Sequence, residues 1–156
     1  MTAILETTCS WPTEAQTEAT AQALARCSTL FPALVALEGG LGAGKTTFVR
    51  YLLRALGVQG RIKSPSYAVV ESYETATGPV HHFDFYRFDD PREWEDAGFR
   101  DMLDGPGLKL VEWPDKAPGL LPVVDLRLSL AGQDVRQVHL EALTPRGAQL
   151  LEAVQS

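Results

Sequence analysis

The sequence predicts an α/β protein of three layers, with helices on both faces of a mixed, mostly parallel central sheet and hairpins in its middle and C-terminal parts. Three observations carry this. Ala33-Leu34-Val35-Ala36-Leu37 is a short, continuously apolar run, the composition of a strand buried on both faces. Helical and strand-like segments alternate around it, as in sheets built through crossover helices. Two further pairs of apolar or aromatic stretches are punctuated by glycine, as in hairpins.

Each element follows in order. Residues 3–8 suit an edge strand. Residues 13–30 suit a helix: Pro12 is a start signal, and Ala15, Ala19, Ala23 and Leu24 fall on one face. The apolar strand at 33–37 runs straight into a glycine-rich loop. Residues 46–56 then carry Phe48, Leu52, Leu53 and Leu56 at helical spacing, with Gly57 as a C-terminal stop. Segments 67–73 and 80–88 read as a hairpin across Gly78-Pro79. Asp90-Pro91 opens a short acidic helix near 92–97, and Gly98 and Gly105 to Gly107 bracket another short segment. Residues 108–111 form a further strand, ending in Glu112-Trp113-Pro114. A second hairpin pairs 123–130 with 135–140 across Gly132, and a helix over 145–153 closes the chain.

Composition narrows the function classes. The 156 residues suffice for a single domain spanning 1–156, with a real core. At 45% hydrophobic and 22% charged, the chain is of ordinary soluble type. A formal net charge of -6 opposes tight non-specific nucleic-acid binding. Arg50, Arg54, Arg61 and Lys63 read as solvated helix and loop charges. Cys9 and Cys27 have no metal-ligand spacing around them, and two isolated thiols fit a reducing compartment. No basic leader and no run long enough to span a membrane is visible, so the expected location is cytoplasmic, with no membrane partner.

The glycine-rich loop carries the chemistry. Gly39-Gly40-Leu41-Gly42-Ala43-Gly44-Lys45-Thr46 meets the pattern G-x-x-x-x-G-K-[ST], with Thr47 next. Converging backbone N–H groups require bends that glycine adopts without penalty. The following helix points its positive end at the same anion. Lys45 supplies a mobile cation for the β- and γ-phosphates, and the Thr46 hydroxyl is placed to ligate Mg²⁺. Four specified positions match by chance in roughly one chain of this length in a few hundred. A buried-type strand before the loop and a helix after it lower that further. The loop makes the predicted fold P-loop NTPase-like and predicts ATP with Mg²⁺ as its ligand.

Hydrolysis also needs an acid at the end of a neighbouring strand. Asp84, in His82-Phe83-Asp84-Phe85-Tyr86-Arg87, and Glu112, in Leu110-Val111-Glu112-Trp113-Pro114, are carboxylates in apolar sequence, where an unpaired charge is costly. A structural salt bridge to Arg87 or Lys109 is the alternative for each. Asp125 reads as a strand residue on a solvated face. His81 and His82 read as structural, one ring in and one out. Trp113 is expected to pack under the site, with a plain core position as the alternative. Lys63-Ser64-Pro65-Ser66-Tyr67 either offers hydroxyls to the metal and water or is ordinary turn chemistry.

Together, Leu41 to Phe48, Lys63 to Tyr67, His82 to Arg87 and Val111 to Pro114 resemble the TsaE (YjeE) family, the ATPase component of bacterial tRNA threonylcarbamoyladenosine biosynthesis. The resemblance covers about Val35 to Pro114, and Asp90-Pro91 and Gly98 to Asp101 also fit. It implies ATP and Mg²⁺ binding and weak hydrolysis by the isolated chain. It implies association with the TsaD and TsaB type proteins that modify adenosine 37 of ANN-decoding tRNAs, so that tRNA is met indirectly. The ATP is then used to reset or activate that pair. By position, Lys45 binds phosphate, Thr46 ligates Mg²⁺, Asp84 is the hydrolysis-linked acid and Glu112 the second magnesium-site acid. Trp113 lies beside the nucleotide or partner surface, and the Thr13 region approaches the adenine. The chain departs from the family at Gly40, where an acidic residue is usual, and at Ser66, where threonine is usual. A small-molecule kinase uses the same loop and is the competing reading; Arg87, Arg92 and Arg100 are its possible lid cations. A GTPase is disfavoured, because no Asn-Lys-x-Asp segment is present.

Overall fold

The computed structural model describes residues 2–40, 42–65, 69–87, 98–117, 119–132 and 134–155. Among these, strands β1 (Leu5–Trp11), β2 (Leu34–Glu38), β3 (Val70–Thr75), β4 (Gly78–Asp84), β5 (Leu108–Glu112), β6 (Leu126–Ala131) and β7 (Arg136–Ala142) form one seven-stranded sheet, ordered β1-β7-β6-β2-β5-β4-β3. The helices are α1 (Glu14–Ala25), α2 (Lys45–Ala55), α3 (Phe99–Asp104) and α4 (Pro145–Gln155). The acidic helix expected near 92–97 lies outside the described residues, as do Leu41, Ser66 and Tyr67.

The four central strands, β6, β2, β5 and β4, run parallel, and the outer pairings β1–β7, β6–β7 and β3–β4 are antiparallel. The expected "mostly parallel" sheet is therefore a parallel centre between two antiparallel hairpin margins. The cause is local for β3–β4 and β6–β7, whose hairpins need only tight turns, whereas parallel neighbours need crossovers; β1 adds to β7 from the other end of the chain.

Alternation along the strands divides the core. Val35, Leu37, Leu110 and Leu128 pack with Leu24, Phe48, Leu52 and Leu150 of α1, α2 and α4. Leu34, Val111, Phe83 and Phe85 pack on the opposite face with Phe99 and Leu103 of α3. This gives the three layers.

Three expectations need correction. The buried face of α1 is Thr17, Thr20, Ala21 and Leu24, whereas Ala15 and Ala19 are exposed. Thr20 earns its place by accepting the indole N–H of buried Trp11 at 3.1 Å. Asp125 is no solvated strand residue but a clamp before β6. Its carboxylate accepts the Leu34 N–H at 2.8 Å and the Thr144 hydroxyl at 2.7 Å. The helix expected over 13–30 also ends earlier, at Ala25, before a separate short 3-10 turn at Ser28–Leu30.

Candidate nucleotide site

The site forms where the C-terminal ends of β2, β4 and β5 meet the start of α2. β2 delivers the chain into the glycine-rich loop. Gly39, Gly42 and Gly44 have φ of 147°, 78° and 105°, so the loop bends through conformations that side chains resist. Gly44 is the N-cap of α2 and has no side chain to cap it, which leaves the helix N-terminus bare towards the loop. Gly40 faces open space.

Register brings the acids together. Asp84 of β4 and Glu112 of β5 are direct neighbours in a parallel pair, and Glu112 also lies opposite Leu37 of β2. The period of a strand places His82 on the same face as Asp84, with Phe83 and Phe85 turned to the other core.

A cavity of about 380 Å³ opens here, lined by Gly42 to Thr47, Ser64, Asp84, Glu112, Trp113 and Arg136. That lies in the range of about 300–1,000 Å³ common for small-molecule sites. Of the residues singled out from the sequence, it unites Lys45, Thr46, Thr47, Gly42, Ala43, Gly44, Asp84 and Glu112. Gly39 and Gly40 form the base of the loop rather than the cavity lining. Thr13 is not brought to the cavity lining. It caps α1, its hydroxyl accepting the Ala15 N–H at 3.3 Å while its own N–H donates to Gln16 Oε1 at 3.0 Å.

The charged groups are interlocked. Lys45 is 5% exposed, donates its ammonium to the Gly39 carbonyl, and lies 4.0 Å from the centre of the Trp113 ring. Burial pushes its ammonium below the usual lysine range, while the charges of Glu112 and Asp84 pull it back up. Burial pushes the Asp84 carboxyl above the usual range. The Tyr86 N–H, donated to Asp84 Oδ1 at 3.0 Å, opposes this, and the Glu112 charge adds to it. Glu112, 3% exposed, binds His82 Nε2 through Oε2 at 2.6 Å.

That pair stands in place of the Lys109 bridge that was the alternative reading for Glu112. Lys109 instead donates to the carbonyls of Gly105 and Gly107. Of the histidine pair, His82 is the ring turned in, as expected, and it is held by a site acid, whereas His81 is half-buried and bonds Ser72 at 2.8 Å. The alternation from Asp84 back to His82 was the signal for this. Arg136 was not anticipated either, since nothing in its spacing ties β7 to the loop. Trp113 lines the cavity and meets the exposed Tyr86 ring at 4.9 Å.

Two non-glycine residues with positive φ, Val69 at 69° and Trp113 at 56°, flank these acids. Val69 accepts the Asp84 N–H at 2.8 Å, and Trp113 directly follows Glu112. Strain of this kind concentrates at functional sites. The arrangement is chemically a bare helix N-terminus with a buried cation, for an anion, facing a hydroxyl and two carboxylates, for a divalent cation.

The profile of a family described as "Threonylcarbamoyl adenosine biosynthesis protein TsaE" matches residues 11–139. The chain belongs to the TsaE family. A relative from Haemophilus influenzae, named tRNA threonylcarbamoyladenosine biosynthesis protein TsaE, is 41% identical over 121 residues, 77% of each chain. A Bacillus subtilis protein of the same name is 36% identical over 121 residues, covering 76% of this chain and 75% of that one. The crystal structure of Bacillus subtilis YdiB superposes with a TM-score of 0.74 at 28% identity, over 97% of this chain and 95% of that one. The TsaE match spans the loop, both acids and Trp113. Among the described residues, no helix is long and apolar enough to cross a membrane.

Proposed function

We propose that this TsaE-family chain binds ATP with Mg²⁺, hydrolyses it slowly alone, and serves threonylcarbamoylation of adenosine 37 in ANN-decoding tRNAs by cycling a TsaD and TsaB type pair. The observation that carries the reading is the convergence of Lys45, Thr46, Asp84 and Glu112 on one cavity at the mouth of the glycine-rich loop. The names of the relatives supply the pathway.

The residues present suit the ligand. A triphosphate needs convergent N–H groups and a cation, which the loop, the α2 N-terminus and Lys45 provide. Two neighbouring acids facing a threonine hydroxyl suit a divalent cation, since Asp84 and Glu112 repel one another without one. When bound, Mg²⁺ neutralises charge on the phosphate oxygens. Thr46 and Glu112 would hold it.

Lys45 then moves from the Gly39 carbonyl and the Trp113 face onto the phosphates. Asp84, at the end of β4 beside Glu112, would orient the attacking water. His82 holds Glu112 in place, and Trp113 closes one wall against bulk water.

The test is ATP turnover by the purified chain with and without the partner pair. Slow hydrolysis that rises with the pair is expected. Rapid phosphoryl transfer to a metabolite, with no response to the pair, would contradict the reading and favour a kinase.

A further inference from the structure

We propose that Arg136, at the start of β7, is a positioning residue that latches the phosphate loop into its anion-binding form. The inference rests on the reading of the loop as a phosphate site.

Arg136 reaches the loop from two strands away in the sheet, since β6 stands between β7 and β2. Its Nε donates to the Ala43 carbonyl at 2.7 Å and its Nη2 to the Gly42 carbonyl at 3.4 Å. It also packs on Gly44 so closely that a Cβ there would stand 2.6 Å from Nε. Arg136 therefore occupies space that only a glycine at position 44 leaves.

The carbonyl and N–H of a trans peptide point in opposite directions. A guanidinium that holds the Ala43 carbonyl on its side turns the Gly44 N–H to the other. The Gly42 carbonyl is held on the same side, while the Ala43 N–H closes a turn onto the Gly40 carbonyl at 3.1 Å and so fixes the bend rather than facing the anion. An anion cradle needs N–H groups inward, so its carbonyls face outward and need donors of their own. Arginine suits this work: its fork offers several donors and stays charged at any working pH. With the latch, the loop meets phosphate already shaped. Without it, the two peptides are free to rotate and part of the binding energy goes into ordering them.

Arg136→Met and Arg136→Gln separate a latch from a charge. Glutamine keeps a donor at the position of Nε and loses the charge; methionine loses both. Two readouts apply: ATP affinity by calorimetry, and backbone amide exchange over 40–44 in nucleotide-free protein. Methionine is expected to weaken ATP binding on the order of tenfold and to speed exchange across the loop, while the thermal midpoint stays near the wild-type value. Glutamine is expected to restore most of both. A methionine variant with wild-type affinity and exchange overturns the latch. So does a glutamine variant as weak as methionine, which marks the charge as acting on the nucleotide itself. Wild-type protein that binds no ATP overturns the site reading and this proposal with it, a result recognisable before any variant is made.

Discussion

His82 Nε2 lies 2.6 Å from Glu112 Oε2, with both side chains almost wholly buried. Removing the imidazole leaves a buried carboxylate without its partner, which costs about 1–3 kcal/mol. His82→Leu is therefore expected to lower stability by that amount in urea unfolding. It is also expected to reduce turnover roughly tenfold, since Glu112 loses its fixed orientation. His82→Gln keeps a donor at Nε2 and should recover most of both losses. If leucine leaves turnover untouched, His82 is packing only.

Lys45 sits 4.0 Å from the Trp113 ring centre, so an anion bound by Lys45 would change what the indole meets. Titrating ATP is therefore expected to change tryptophan emission. Trp113→Phe should remove that change while binding persists by calorimetry. Lys45→Ala should remove the binding itself. A response that survives in Trp113→Phe would place the reporting tryptophan elsewhere.

The Asp84 carboxyl is raised by burial, so the folded chain keeps its proton at pH values where the unfolded chain has lost it. The unfolded state then binds fewer protons, and stability falls as pH rises through the folded-state value. This group thus favours the folded state in acid and costs it stability near neutrality. Asp84→Asn is expected to raise the thermal midpoint of the nucleotide-free protein at neutral pH and to flatten its fall from acid to neutral pH. A midpoint lower than wild type at neutral pH would contradict the assigned burial cost.

Gly40 and Gly44 should respond in opposite ways. A Cβ at Gly40 meets nothing, and Gly40→Ala is expected to keep ATP affinity and gain about 0.4–1 kcal/mol of stability. Gly44 has φ of 105° and lies under Arg136, so Gly44→Ala is expected to cost about 1–3 kcal/mol and to weaken ATP binding. Calorimetry and denaturant unfolding check both. Equal behaviour of the two variants would sink the account of the loop's shape.

Local signals carried most of the fold. The apolar run before the loop became β2, offset by one residue, and the Phe48, Leu52, Leu53 spacing became the buried face of α2. Both are patterns within one element. The buried face of α1 was not legible, because its alanines and threonines differ little in hydrophobicity; contact with Trp11 and α2 decides it. Asp125 looked like a solvated strand residue because its partners, Leu34 and Thr144, are remote in sequence or belong to backbone. The same limit hid Arg136, which reaches the loop across 93 residues of chain. His82 was the nearer miss. Alternation from Asp84 puts it on the site face, and only the register of β4 on β5 reveals that it meets Glu112.

Lys45, Thr46, Asp84 and Glu112 are proposed to work as one magnesium–ATP site. ATP turnover of Asp84→Ala and Glu112→Ala, measured beside their calorimetric ATP affinity, tests it most directly. Both variants are expected to keep binding ATP and to lose turnover. Two variants that hydrolyse ATP at the wild-type rate would contradict it.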